Sequence, residues 1–134
     1  MIYLLDSNAC IQLLNHRQST VAQHLAQHNP ASIALCNVVK GELLYGAYRS
    51  QRVEANLHLL HAFFAPFASL PLDEAAAEHY GQIRADLMAK GTPIGPNDLL
   101  IAAIARAHDA ALITHNTSEF GRVAGLRMED WEAA

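Results

Sequence analysis

The sequence is poor in cysteine, in charge and in uninterrupted apolar runs, and each shortage excludes something. Its two cysteines, Cys10 and Cys36, have no CxxC spacing, which excludes a disulfide framework and a thiolate zinc site. Both stand in apolar surroundings and read as buried thiols. The longest apolar region, Leu57 to Leu72, is broken by two histidines and two prolines, so no segment has the length of a membrane span. Met1-Ile2-Tyr3-Leu4-Leu5-Asp6 carries no basic n-region and no cleavage site, and the expectation is a cytoplasmic protein. No Gly/Ser-rich or Pro-rich linker, internal repeat or low-complexity stretch divides the chain, so residues 1–134 are expected to form one domain. Asp6-Ser7-Asn8-Ala9-Cys10 contains no glycine, which removes a dinucleotide or P-loop phosphate cradle. No G-x-S-x-G nucleophile elbow is present either. Basic residues are outnumbered, 9 Lys+Arg against 13 Asp+Glu, for a net charge of −4. Taken whole, that is the wrong sign for a nucleic-acid binder.

Hydrophobic residues make up 51% of the chain against 16% charged, which supplies a core and argues against disorder. A chain of this size buries about 65–70% of its unfolded surface. Ile2 to Leu5 reads as a buried parallel strand ending at Asp6. Ser7 or Asn8 is placed to cap a helix over 9–15. A second helix starts at Ser19 or Thr20 and ends before Asn29-Pro30. Ser32 to Cys36 is a strand, and Asn37 is expected to cap a helix carrying Val39, Leu43 and Ala47 on one face. Arg52 to Phe64 is helical, Ala68 to Leu72 a third strand, and Asp73 caps a helix over 74–90 that Gly91 stops. An apolar helix follows from Asn97 to His108, then a strand from Ala111 to Thr114. A helical turn over 119–123 and a short edge strand at 126–128 complete the pattern. Alternating strands and helices imply βαβ units, a parallel sheet and helices on both faces. Ligands of such sheets bind beyond the carboxyl ends of the strands.

That rule singles out acids. Asp6 follows the first strand, a position suited equally to capping a helix and to a site. Glu42 has Val38 and Val39 one turn before it and Tyr45 one turn after, at the margin of the apolar stripe. Gly41 and Gly46 flank it, each costing about 0.5–1 kcal/mol in a helix interior, and suggest close packing there. Asp98 lies in the first turn of the apolar helix, where the helix dipole favours an acid and a buried helix is a rigid mount. Asn116 and Glu119 follow the fourth strand and are within reach of the same edge. Clustered carboxylates resist joint ionisation unless a cation neutralises them. An all-oxygen set points to Mg²⁺, with Mn²⁺ as a substitute, and to phosphodiester chemistry. Setting aside Asp6, Glu42, Asp98 and Glu119 leaves nine acids of 13 against nine bases. The net charge thus equals the candidate site. Lys40, Arg49 and Arg84 are candidate RNA contacts, as are Arg52, Lys90, Arg122 and Arg127. For any single one, solvated surface charge is the stronger explanation.

Four segments together resemble the PIN domain: Met1-Ile-Tyr-Leu-Leu-Asp-Ser-Asn, Gly41-Glu-Leu-Leu-Tyr-Gly-Ala, Ile94-Gly-Pro-Asn-Asp-Leu-Leu-Ile-Ala-Ala and Leu112-Ile-Thr-His-Asn-Thr-Ser-Glu-Phe. Gly81-Gln-Ile-Arg and Gly125-Leu-Arg-Met-Glu-Asp-Trp extend the likeness to the VapC toxins of VapBC toxin–antitoxin modules. The resemblance implies a three-layer α/β/α domain with a mainly parallel sheet of four to five strands. It also implies a Mg²⁺- or Mn²⁺-dependent endoribonuclease that cuts tRNA, with the initiator tRNA anticodon loop as the first candidate. A VapB-type antitoxin as inhibitory partner and a toxin homodimer follow from it too. Position by position, it assigns Asp6, Glu42 and Asp98 as catalytic, Asp6 and Asp98 as metal ligands, and Asn8 as support for the first acid. Ser7 stands in place of the commoner Thr and keeps the hydroxyl. Asn116 stands where many PIN domains carry a fourth Asp, which weakens a second metal site, and Glu119 is a candidate to replace it.

Haloacid-dehalogenase phosphatases also open on an apolar strand ending in Asp, but they need a second Asp where this chain has Asn8. His24/His28 and His58/His61 have zinc-compatible spacings without a third ligand nearby, and are expected on wet helix faces. The chemistry expected is in-line hydrolysis leaving a 5′-phosphate and a 3′-hydroxyl. The alternative is a degenerate PIN domain that only binds RNA or protein.

Overall fold

Three short apolar runs become the centre of a five-stranded sheet. In the computed structural model, which describes residues 1–133, the order along the chain is β1 (Tyr3–Leu5), α1 (Ser7–Asn15), α2 (Thr20–Ala26), β2 (Ile33–Cys36), α3 (Asn37–Tyr48), α4 (Val53–Phe64), β3 (Ala68–Leu70), α5 (Glu74–Ala89), α6 (Pro96–Ala107), β4 (Ala111–Ile113), α7 (Thr117–Phe120) and β5 (Arg127–Glu129). Strand order is β3-β2-β1-β4-β5. All four pairings are parallel, with Leu4 opposite both Ala34 and Leu112. The inner strands β2 and β4 are buried throughout, whereas β3 and β5 are largely exposed, as edge strands tolerate. Helices flank the sheet, so the α/β layering expected from the alternating pattern is what forms.

The strand order reverses at β1. The chain first moves outward through β2 to β3, then returns to lay β4 on the other side of β1. Such a switch point leaves a crevice outside the carboxyl ends of β1 and β4. α6 covers the core with Leu99 and the buried run Ile101 to Ala105, and α5 packs along it. Cys10 and Cys36 are buried and free, and burial pushes both thiols up, so they are inert packing groups. No helix among the described residues is long and apolar enough to cross a membrane.

Several local expectations change. The α1 cap is Asp6, whose Oδ1 accepts from the Ala9 N–H at 2.8 Å, and not Ser7 or Asn8. Asn37 is the first residue of α3; Cys36 precedes it and makes no side-chain cap bond. β3 ends at Leu70, because Pro71 cannot donate to the ladder. α7 starts at Thr117 and β5 ends at Glu129, each offset from its expected span. Gly91 does end α5, with φ +68, and the Thr92 N–H reaches back to the Leu87 carbonyl at 2.9 Å. The close packing expected at Gly41 and Gly46 is absent, since an added Cβ would meet nothing within 4 Å at either. His24 and His28 are half-buried, not on a wet face. Their rings lie 5.6 and 5.0 Å from Trp131, each within 9° of parallel. The chain after β5 folds back onto α2, and the 1%-exposed indole needs flat partners. His58 and His61 are exposed as expected.

Candidate active site

The switch point brings the singled-out acids together. Asp6 leaves β1 with its backbone N–H bonded to the Ile113 carbonyl of β4 at 3.1 Å. That bond and the cap to Ala9 fix the carboxylate at the crevice, where it is 6% exposed. Ser7, the next residue, donates its hydroxyl to Glu42 Oε1 at 2.7 Å and so ties α1 to α3. Asp98 enters from the first turn of α6, half-buried. The result is a cavity of about 140 Å³ lined by Asp6, Ser7, Asn8, Glu42, Asp98 and Asn116, with Ile101 and Phe120 as its apolar lining.

Glu119 stands just outside and braces the rim. Its Oε1 accepts from the Gly95 N–H at 2.8 Å and its Oε2 from Asn116 Nδ2 at 2.6 Å. The start of α6 is thereby pinned to the loop after β4. Both Glu119 oxygens are engaged in that brace, so in this arrangement it supports Asp98.

The charges are strongly coupled. Burial pushes the Asp98 carboxyl up to about 7, and the neighbouring Glu119 adds to it, followed by Glu42 and Asp6. Asp6 is also raised, by burial first. The Thr114 hydroxyl and the Ala9 N–H hold it back, and Glu132 and Glu42 push it further. Glu119 moves the other way, lowered chiefly by the Gly95 N–H. No Lys or Arg lines the cavity, so nothing within it neutralises three crowded carboxylates. The donors are all oxygen, and a hard divalent cation such as Mg²⁺ or Mn²⁺ fits that set. Asp6, Glu42 and Asp98, from three different parts of the fold, are the carboxylates of the lining that could hold it.

None of the seven candidate RNA contacts is part of the cavity lining. Lys40 Nζ sits 5.3 Å over the Phe64 ring. Arg84 donates to the Tyr80 hydroxyl at 2.9 Å on α5. Arg49 lines a separate groove that adjoins the cavity. Thr114, 1% exposed at the end of β4, escaped the sequence reading. It also accepts from the Asn116 N–H at 3.0 Å. A polar residue closing an otherwise apolar strand beside the Asp6 strand was its available signal. Also unforeseen is a group at the ends of β4 and β5. His115, Asp130 and Glu132 each offer a ligand-type atom, all within 4.8 Å. This group is distinct from the cavity set, and its exposed core is the His115–Asp130 pair at 3.0 Å, which raises His115.

Comparison with known proteins adds the context of a family. The PIN domain profile matches residues 3–126. The tRNA(fMet)-specific endonuclease VapC of Shigella flexneri is 41% identical over 129 residues, covering 96% of this chain and 97% of that protein. Ribonuclease VapC2 of Rickettsia felis is 36% identical, with 98% and 99% covered. Among solved structures, DNA-bound VapBC from Salmonella typhimurium matches with a TM-score of 0.91 at 36% identity, covering 98% of both chains. VapBC2 from Rickettsia felis bound to a promoter DNA fragment matches at 0.89 and 36% identity, with 98% of this chain and 99% of that one covered.

Proposed function

The chain belongs to the PIN domain family and, within it, to the VapC ribonucleases, and from that premise we propose that it is a metal-dependent endoribonuclease toxin of a VapBC-type pair. The observation that carries this reading is the convergence of Asp6, Glu42 and Asp98 on one cavity with no basic side chain to neutralise them. The proposed substrate is tRNA, first the initiator tRNA cut in its anticodon loop. It is supported by the 41%-identical relative named for tRNA(fMet). A VapB-type antitoxin is the proposed inhibitory partner and the toxin itself a homodimer, in keeping with the VapBC complexes among its structural relatives. The site of action is the cytoplasm, where tRNA is.

In the mechanism, Asp6 and Asp98 would hold a divalent ion, Mg²⁺ or Mn²⁺. When bound, the cation stabilises the charge that builds on the phosphoryl oxygens. Glu42 is steadied through Oε1 by the Ser7 hydroxyl, which leaves Oε2 to orient the attacking water and take its proton. Asp6 cannot swing away, because its cap to Ala9 and its backbone bond to Ile113 both hold it. Glu119 fixes the α6 end that carries Asp98. Ser7 and Asn8 frame the mouth on the α1 side, and Asn116 closes it on the β4 side. Attack by water leaves a 5′-phosphate and a 3′-hydroxyl.

The test is incubation of the purified protein with a total tRNA pool, with Mg²⁺ or with EDTA, followed by sequencing of the new ends. The expected result is Mg²⁺-dependent cuts at one loop position bearing 5′-phosphates. Ends carrying 2′,3′-cyclic phosphate, or cutting unaffected by EDTA, would contradict it. Asn116, in place of a fourth acid, is the one feature favouring a binding-only domain. Tight RNA binding with no cleavage under any divalent ion would establish that reading.

A further inference from the structure

The carboxylate cavity does not end at Glu42. It opens into a groove of about 610 Å³ that shares Ser7, Asn8 and Glu42 with it and runs between α1, α3 and α4. Tyr45 lies on the wall of this groove, one helical turn after Glu42 and on the same side of α3. Its ring is left in solvent, with the residue 67% exposed. The Arg49 guanidinium sits 5.5 Å from the ring centroid, which props the ring and places a positive charge beside it. Gly46, next in the chain, also lines the groove. It costs helix stability, yet nothing within 4 Å would oppose a side chain there. The opening it leaves serves no packing inside this chain.

Resting on the function proposed above, we propose that Tyr45, propped by Arg49, is the stacking platform for the unpaired nucleotide next to the scissile phosphate, and so a specificity-determining contact of the cleavage. Continuity favours a nucleotide over a peptide as occupant. A strand whose phosphate lies among Asp6, Glu42 and Asp98 has a continuous path past Tyr45, because the groove and the cavity share Ser7, Asn8 and Glu42. Charge agrees, since Arg49 is the groove's one basic residue and Glu42, at the cavity end, its one acid. An aromatic face with a neighbouring guanidinium is how proteins hold unstacked bases without reading their edges. Ile11 and Leu59, both exposed on the groove, supply apolar surface for the rest of the base. The platform selects looped over paired RNA, because a base inside a duplex cannot reach the ring.

The experiment uses an RNA stem–loop with 2-aminopurine in the loop, bound in EDTA so that nothing is cut, to wild-type protein and to Tyr45→Ala, Tyr45→Trp and Arg49→Ala. Tyr45 is exposed and these variants are expected to fold. The expected result is quenching of the 2-aminopurine by wild type and by Tyr45→Trp. In Tyr45→Ala the quench is lost, and affinity for the loop falls about five- to hundredfold. Arg49→Ala is intermediate. With Mg²⁺, Tyr45→Ala loses cleavage of looped RNA in the same proportion. Tyr45→Ala binding and quenching as wild type does would overturn the proposal. Weakened binding of the antitoxin alone would overturn it too, and would mark the groove as a protein-docking surface. Wild type that quenches the probe but cuts no RNA would leave the platform standing and remove the proposed function.

Discussion

Asp98 is a cavity acid whose protonation departs far from that of an ordinary carboxylate, and that protonation is measurable. Its carboxyl is pushed up to about 7 in the fold, against about 3.9 in an unfolded chain. Between those values the folded state binds more protons than the unfolded one, so the metal-free protein loses stability as pH rises from about 4 to about 7. Asp6, raised as well, acts in the same sense. Glu119 is lowered and acts oppositely, but only as pH falls below about 4.5. His115, raised by Asp130, adds a decline above about pH 6.5, so a variant is needed to separate it. The melting temperature in EDTA is expected to be higher at pH 5 than at pH 8, and Asp98→Asn is expected to flatten that difference. An unchanged slope in Asp98→Asn would mean that its carboxyl titrates normally. Asp6 shows how much of such a residue was legible in the sequence. Its place after the strand left capping and site duty equally open; the structure shows the cap to Ala9 and puts the same carboxylate in the cavity lining. Thr114 was not legible, because its hydroxyl matters only once β1 and β4 lie side by side.

Elements were legible wherever periodicity was strong, and their ends were not. The apolar run after Pro96 marked α6 clearly, and Leu99 and Ile101 to Ala105 are its buried stretch. β3 stops two residues short of the span expected from sequence, because Pro71 and Leu72 continue the apolar pattern but Pro71 has no N–H for the ladder. The glycines of α3 misled for a physical reason: a helix glycine signals space, and space is not the same as a neighbour. Gly41 is exposed with nothing within 4 Å of an added Cβ. Gly41→Ala is therefore expected to stabilise the protein by about 0.5–1 kcal/mol, seen as a melting temperature raised by about 2–4 °C. Destabilisation would mean that α3 does not tolerate a side chain at that position.

At the scale of the molecule, the parallel sheet was predictable from alternation, but its strand order was not. Nothing local in the sequence says that β4 returns to the far side of β1, and that return creates the crevice. The charge count pointed to the same place, since the net −4 equals the acids at the cavity and its brace. The chain also closes on itself. Trp131 packs on Tyr3, His24 and His28, and the Thr20 hydroxyl donates to the Glu132 carbonyl at 3.2 Å. Trp131→Ala is expected to cost about 3–5 kcal/mol, read as a lower midpoint in urea. A loss under about 1 kcal/mol would mean that this terminal packing is dispensable. The central claim is that Asp6 and Asp98 together position the ion that cuts RNA. Its most direct test is single-turnover cleavage of initiator tRNA with Mg²⁺ by wild type, Asp6→Asn and Asp98→Asn at matched folded fraction. The account predicts that each variant keeps the fold and loses cleavage by at least about a hundredfold, whereas either variant cutting at the wild-type rate would contradict it.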